Sequence, residues 1–405
     1  MASQGGNWKD LVKAAEVGDL AAAKYHLQQG VDPNYQHPEY FTAPIFEAIR
    51  NNRLEVIELL VEGKYQGEKL LKSTLADPKL VEEMTDLTPI DLALEEEKHD
   101  IVDYLNTQLP PDAQWKPKHV LVTGGNRGIG KAIVEQLLRQ GHVVAFTCRD
   151  ADAGEQVLKE LKEKTGNKKL QVVVGDLSSI KKVGAAAKSI LEQFPKLQVL
   201  VHNAGLWPSE CQINEDGLEM SFMVNYVAPL ILTQQLLPQM ETNGTDVRVV
   251  LVTAGLAIFG KADVTKTPLG KDFSRFKTYM HTKQCGMIWC LRQARLQQVS
   301  SSATPRVTFN AVHPGVIRTG LGASDGCMGF LLRLVKKTWK QPAEGAVAPV
   351  WLATSPEAKG IHGKFYHEMK LYELEGDAAC MLDPTVQDEW AQWTQDFLAR
   401  HNRET

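Results

Sequence analysis

The chain has 405 residues, 43% hydrophobic and 23% charged, an ordinary globular balance that gives collagen-like, disordered and coiled-coil readings no support and predicts two or three domains at roughly 100–200 residues each. The net charge of −4 hides a division at Lys116: residues 1–116 hold 11 Lys/Arg and 21 Asp/Glu, a net of −10, and the remainder holds 34 and 28, a net of +6. Neither part has the dense Lys/Arg clustering that phosphate neutralisation needs, so no nucleic-acid partner is expected.

The N-terminus, MASQGGNWKD, lacks the apolar stretch of a signal peptide. No run reaches the ~18 apolar residues of a membrane span, so a cytoplasmic protein is expected. Six cysteines, Cys148, Cys211, Cys285, Cys290, Cys327 and Cys380, show no CxxC pair and no His partners at zinc spacing. Reduced thiols and no metal are expected.

The first elements repeat. LVKAAEVGDLAAAKYHLQQGVDPN (11–34) reads as two short amphipathic helices and a turn, APIFEAIRNNRLEVIELLVEG (43–63) repeats the pair, and TPIDLALEEEKHDIVDYLNTQL (88–109) is a third copy. Ala14, Ala48 and Ala93 share one slot, small enough for close helix packing. Pro44 and Pro89 sit where a helix begins, because proline's fixed φ suits the first turn. Gly18 and Gly30 can take the left-handed conformations that end helices. Leu54, Val56, Ile57, Leu59 and Leu60 give the second copy its buried stripe.

These segments, with their TPxxxA opening and GVDPN turn, resemble ankyrin repeats over residues 1–109. The resemblance implies a small all-α domain that contacts protein partners; a docked cap without an outside partner is the other reading. So short an array needs a partner surface, most simply the other domain. Asn52 and Glu97 replace the usual mid-repeat glycine, and residues 64–86 are an insertion. A proline-rich linker, 110–117, follows.

From 118 to 405 apolar, β-branched runs alternate with amphipathic helical stretches: HVLVTG, VVAFTC, LQVVVGD, LQVLVHNAG, RVVLVTAG, VTFNAVHPG and GKFYH. This alternation predicts an α/β fold with a doubly wound parallel sheet of Rossmann type, binding ligands beyond the carboxyl ends of its strands. TGGNRGIG (123–130) lies between the first strand and a helix. There Gly124 permits a tight turn, Gly128 lets backbone approach a pyrophosphate, and Gly130 allows helix and strand to pack closely.

That TGxxxGxG spacing, with CRD (148–150), GDLSS (175–179), NAG (203–205), SFMVNYVAP (221–229) and HPGVIRT (313–319), resembles the short-chain dehydrogenase/reductase family, closest to its retinol-dehydrogenase-like subgroup. The resemblance implies a nicotinamide cofactor bound by Gly124, Asn126, Arg127, Gly128, Ile129 and Gly130. It places Asp176 and Leu177 against the adenine, with Asn203, Ala204 and Gly205 beneath it. Pro314, Gly315 and Thr319 fall at the nicotinamide end. The second strand ends in Cys148 and Arg149 where an NAD enzyme would hold a carboxylate, so NADP(H) is expected over NAD(H), with Arg149 and Arg127 for the 2′-phosphate. His202 and His313 fall at structural places of the family pattern.

YxxxK, which sets tyrosine and lysine on one helical face, occurs at Tyr65/Lys69, Tyr279/Lys283 and Tyr366/Lys370. Only Tyr279/Lys283 follows the fifth strand in a long helix, as the family requires. Tyr279 is the implied acid/base, also touching substrate; Lys283 is its pKa-lowering, ribose-binding partner, and Asn225 completes the group. The family's substrate-binding serine is missing, because the strand ends Thr253–Ala254. Thr253 could compensate only through a one-residue shift of the strand, and Thr282 is a weaker candidate. Losing one such hydrogen bond typically costs about 10²–10³ in rate. Two readings therefore stand: an NADP(H)-dependent oxidoreductase for an apolar aldehyde, ketone, alcohol or retinoid-like substrate, with reduced activity, and a catalytically impaired NADP-binding adaptor.

Residues 320–346 lead into a basic amphipathic stretch. Phe330, Leu331, Leu334, Val335 and Trp339 could line a substrate pocket, while Arg333, Lys336, Lys337 and Lys340 leave a membrane-surface helix as the alternative. The tail 388–401 reads as a packing helix. Oligomeric state, substrate identity and reaction direction stay open.

Overall fold

The computed structural model describes residues 8–36, 40–65, 68–70, 75–85, 87–111, 114–297, 305–317 and 340–404. The chain divides into two compact units, Met1–Pro117 with Arg139–Gly141, and Lys118–Leu138 with His142–Thr405.

The first unit holds three helix pairs: α1 (Trp8–Val17) with α2 (Leu20–Gln28), α3 (Pro44–Arg50) with α4 (Leu54–Glu62), and α5 (Pro89–Glu95) with α6 (His99–Gln108). α1, α3 and α5 stack in sequence, as do α2, α4 and α6. Ala14, Ala48 and Ala93 are buried, as close helix packing requires. Pro44 and Pro89 open their helices, and at α5 Thr88 and Asp91 form a reciprocal capping box. Where Gly18 turns with φ +85°, Asn52 and Glu97 turn with φ +56° each. The missing glycines thus change the residue and not the backbone, and glutamate there bears about 1–2 kcal/mol of strain. Within the insertion, β1 (Lys64–Tyr65) pairs antiparallel with β2 (Glu68–Lys69). Further along, Glu82 is buried and bound by Arg50, Thr42 and Thr85.

The second unit is an eight-stranded sheet in the order β10-β9-β8-β7-β6-β3-β4-β5. Its strands are β3 (His119–Thr123), β4 (Val143–Cys148), β5 (Leu170–Val174), β6 (Val199–His202), β7 (Val247–Val252), β8 (Val307–His313), β9 (Phe365–His367) and β10 (Lys370–Leu371). All seven runs expected from the sequence are strands of this sheet. Every pairing is parallel except β9–β10, where the chain reverses through Glu368 at φ +55°. The order switches direction between β3 and β6, opening a crevice beyond their carboxyl ends.

Helices cover both faces: α7 (Gly128–Arg139), α8 (Ala151–Thr165), α9 (Ile180–Gln193), α10 (Met220–Phe222), α11 (Ala228–Asn243), α12 (Arg275–Gln297), α13 (Pro342–Thr354) and α14 (Pro384–Glu404). Alternation along β3 sends Val120 and Val122 to a core with Ile133, Val134 and Val350, and Leu121 to a second core with Ile190, Leu232 and Ile288. A π-helical turn, Met223–Val227, joins α10 to α11 and carries Asn225. The continuous segment Met220–Asn243 is long and apolar enough by composition to cross a membrane, but most of it lies inside this core. In α14, Trp390 is buried as a packing helix requires.

Candidate active site

The glycine-rich turn joins β3 to α7 by sterics that only glycine satisfies. Gly124 has φ +68° and Gly128 φ +56°. A Cβ on Gly130 would stand 2.3 Å from both Asn203 Nδ2 and the Gly124 carbonyl oxygen. Two threonines fix the turn from below: Gly124 N–H donates to Thr147 Oγ1 at 3.3 Å, and Thr123 Oγ1 accepts from the N–H groups of Asn203 and Ala204, each at 3.0 Å. Asn203 Nδ2 donates back to the Thr123 and Gly124 carbonyls at 3.0 and 3.2 Å. α7 begins at Gly128, so its first N–H groups have no intrahelical acceptor and face the end of β3. This cradle fits a pyrophosphate. Asn126 lies on it half-buried, and Ile129 packs partly into the core beside Ile133.

At the end of β4, Cys148 is buried and Arg149 beyond it is exposed; Arg127 is exposed on the glycine-rich turn after β3. Asp176 bonds the Ser178 N–H at 3.0 Å and pairs with Lys182 at 3.0 Å. Burial works against its charge, but Lys182 and Ser178 hold the carboxyl below its ordinary value. Leu177 is buried in the core. Beyond β8, Gly315 has φ +89°, and a Cβ there would meet Glu368 Oε1 at 2.5 Å; Pro314 is buried beside it. Thr319 lies outside the described residues, as do Phe330, Leu331, Arg333, Leu334, Val335, Lys336, Lys337, Trp339 and Cys327.

Of the three YxxxK copies, only Tyr279/Lys283 lies on a helix. Tyr65 and Lys69 fall on the two strands of the β1–β2 hairpin, and Tyr366 and Lys370 on β9 and β10. α12 is held along β8 and against the turn Gly255–Phe259, and both Tyr279 and Lys283 point inward, 6% exposed each. Lys283 Nζ donates to the Val252 carbonyl at 3.3 Å. A Cβ on Gly205 would stand 3.0 Å from that ammonium and 3.1 Å from Asn225 Oδ1, so Gly205 is the gap through which both groups approach the strand end. Burial pushes the Lys283 ammonium down to about 8 and raises the Tyr279 phenol above its ordinary value. Desolvation is the cause of both shifts, and it acts against the lowering of Tyr279 expected from Lys283.

Asn225, 2% exposed, is fully engaged. Its Oδ1 accepts from Leu206 N–H at 2.8 Å, and its Nδ2 donates to the Leu206 carbonyl and to Thr282 Oγ1, each at 3.0 Å. Thr282 is therefore a support and does not face a substrate. Thr253 does not substitute for the missing serine either. β7 ends at Val252 without a shift, and the Thr253 hydroxyl turns to the Lys283 carbonyl at 3.4 Å. Ala254 follows in extended conformation, φ −130° and ψ 146°. His202 is buried and hydrogen-bonded to Thr233 Oγ1 at 2.8 Å, which leaves it structural.

Trp207 has no counterpart among the residues picked out by motif. Its ring stacks on Tyr279 at 4.4 Å with an interplanar angle of 12°. It sits two residues past NAG, and only the three-dimensional approach of two distant segments reveals its partner.

Comparisons with known proteins agree with this layout. A short chain dehydrogenase family model matches residues 118–266, and an ankyrin-repeat model matches residues 11–61. Human retinol dehydrogenase 14 is 31% identical over 274 residues, covering 64% of this chain and 80% of that protein. Human retinol dehydrogenase 12 is 31% identical over 265 residues, covering 65% and 80%. Among solved structures, L-sorbose reductase from Gluconobacter frateurii, complexed with NADPH and L-sorbose, superposes with a TM-score of 0.50 at 22% identity, covering 62% of this chain and 95% of that one. At that identity it speaks for the fold alone.

Proposed function

The chain belongs to the short-chain dehydrogenase family of oxidoreductases, joined to N-terminal ankyrin repeats, and on that premise we propose that its second unit is an NADP(H)-dependent oxidoreductase for an apolar carbonyl or alcohol. The observation that carries this reading is the joint placement of Lys283 and Asn225 against Gly205, with buried Tyr279 one turn before Lys283 on α12, beside a glycine cradle that fits a dinucleotide. An adaptor without chemistry has no evident need of that placement.

When bound, NADP(H) supplies or accepts the hydride. The chain's own part is to bind, orient and move a proton. Gly124, Gly128 and Gly130 let the start of α7 present its N–H groups to the pyrophosphate. Exposed Arg149 and Arg127 suit a 2′-phosphate, since guanidinium forks pair with phosphate oxygens, and Cys148 brings no carboxylate to repel it. Lys283, whose ammonium donates to the Val252 carbonyl, would hold a ribose hydroxyl of the bound cofactor. Tyr279, buried on α12, stands as the proton donor to a carbonyl oxygen in reduction and as the acceptor from an alcohol in the reverse direction.

The names of the relatives point to retinol, and a retinoid or other lipid aldehyde is the substrate class we favour. Leu256 and Phe259 on the turn after β7, and Phe276 beside Trp207, are exposed apolar residues suited to contact with it. The ankyrin unit, with its net charge of −10, is read as a protein-contact module.

Ala254 favours the second reading, an NADP(H)-binding adaptor, because it offers no hydrogen bond to a substrate oxygen. The deciding experiment follows NADPH consumption with a panel of aldehydes and ketones, with NADH in parallel. Turnover in the wild type that Tyr279→Phe abolishes excludes the adaptor. Silence in the wild type, with turnover in Ala254→Ser, excludes the enzyme.

A further inference from the structure

Trp207 is half-buried and held by several contacts besides the stack on Tyr279. Its Nε1 donates to the Arg275 carbonyl at 2.9 Å, Phe276 meets it edge-on at 5.2 Å and 82°, and the Arg275 guanidinium lies 5.9 Å from its ring. The residue before it is fixed too, because both backbone groups of Leu206 bond the Asn225 amide. From Asn225 the contacts pass to Thr282 Oγ1 and on to the Tyr279 carbonyl, which that hydroxyl reaches at 3.2 Å. The Tyr279 ring then returns to Trp207 through the stack. This is a closed circuit around the acid/base tyrosine, and residue 254 has no place in it: Ala254 has no side-chain polar atom, and its methyl group cannot orient a phenol.

We infer that Trp207 is a positioning residue for Tyr279: the indole holds the plane of the phenol for proton transfer and keeps water from its face, taking over orientation that a hydroxyl at position 254 would otherwise share. The inference rests on the acid/base reading of Tyr279. A flat stack suits the role, since two π-faces in offset contact resist tilting of either ring. The remaining contacts of the indole fall on Arg275 and Phe276, at the start of the same helix, so Trp207 and Tyr279 share one rigid frame.

The test uses the full chain and the variants Trp207→Phe, Trp207→Leu and Trp207→Ala, alone and with Ala254→Ser. In the cofactor-free protein, tetranitromethane nitration of Tyr279, followed by peptide mass spectrometry, reports access to the phenol. It should quicken in Trp207→Ala and stay near wild type in Trp207→Phe. In turnover, Trp207→Ala should lower kcat by about tenfold, the scale of one aromatic pair, with KM within about twofold and the pH profile of kcat displaced. Trp207→Phe should restore most of the rate. Trp207→Leu, which keeps bulk but not the stack, should behave as Trp207→Ala does and guards against misfolding of the alanine variant. With Ala254→Ser present, the loss from Trp207→Ala should shrink.

The inference is overturned if wild-type turnover is indifferent to Trp207→Ala and Trp207→Leu, if Trp207→Leu matches Trp207→Phe, or if the loss is the same with and without the serine. Absence of turnover in both wild type and Ala254→Ser would instead defeat the acid/base reading, and the inference with it.

Discussion

The Asn225 side-chain amide donates a hydrogen bond to the hydroxyl of Thr282 at 3.0 Å, tying the π turn before α11 to the middle of the YxxxK segment. Both residues are buried, so the bond has no water to replace it. Thr282→Val keeps shape and removes the acceptor, leaving one amide hydrogen of Asn225 without a partner. The expected cost is about 1–3 kcal/mol of stability in the second unit, read as a lower urea midpoint, while Thr282→Ser retains the bond and stays near wild type. An unchanged midpoint in Thr282→Val would mean that the bond does not hold the site.

Ala254 sits in extended backbone as the N-cap of the turn Gly255–Phe259, where serine is a favoured residue. Ala254→Ser should therefore fold at least as well as wild type and supply the missing donor to a substrate oxygen. Turnover should rise by up to about 10²-fold, with kcat carrying more of the gain than KM. A stable Ala254→Ser protein without faster turnover would show that the serine is not what limits the rate.

The glycine turn and the Tyr279/Lys283 pair could be picked out by spacing, and Asn225 by the family resemblance alone; the structure brings Lys283 and Asn225 together at Gly205. The choice among three YxxxK copies came from the family's context, a long helix after the fifth strand, and the structure puts Tyr65/Lys69 and Tyr366/Lys370 on strands. Trp207 was not legible: its Nε1 bond to Arg275 spans 68 residues of sequence, and one aromatic in a loop has no periodicity to read. The turn around Asn225 had the same difficulty, because a helical pattern does not distinguish a π turn from an α turn. Asn52 and Glu97 were seen as departures from a glycine, yet the left-handed backbone there persists because the neighbouring helices dictate it.

Lys283 is buried with its ammonium pushed down to about 8, so between that pH and its ordinary value near 10.5 the unfolded chain binds more protons than the folded one. Stability of the cofactor-free protein should consequently rise with pH from about 8 to about 10.5, as the cost of burying the charge is relieved. Below pH 8 that cost is present in full. Lys283→Met removes it, so the variant's stability, measured by urea unfolding at a series of pH values, should lack this rise. The same slope in wild type and Lys283→Met would assign it to other groups.

Glu82 anchors the inserted segment of the first unit, and no motif signals it. Its two oxygens accept from Arg50 at 2.8 and 2.5 Å, from Thr42 at 2.8 Å and from Thr85 at 2.7 Å. Burial alone would raise its pKa, but the hydrogen bonds from Arg50, Thr85 and Thr42, together with the Arg50 charge, outweigh burial and hold the carboxyl below its ordinary value. A carboxyl lowered on folding contributes stability that is complete above its unfolded pKa and is lost as pH falls through the folded one. The first unit should accordingly weaken below about pH 4.5, and Glu82→Gln should flatten that dependence. Glu82→Ala leaves the half-buried Arg50 without its main partner, and a loss of about 3–5 kcal/mol is expected, as for other broken buried pairs. Arg50→Met with Glu82→Leu removes both charges and should recover much of the loss. Circular dichroism during urea unfolding of the full chain would read all three variants, and a double variant as unstable as Glu82→Ala would show that packing of the inserted segment, and not the pair, holds it in place.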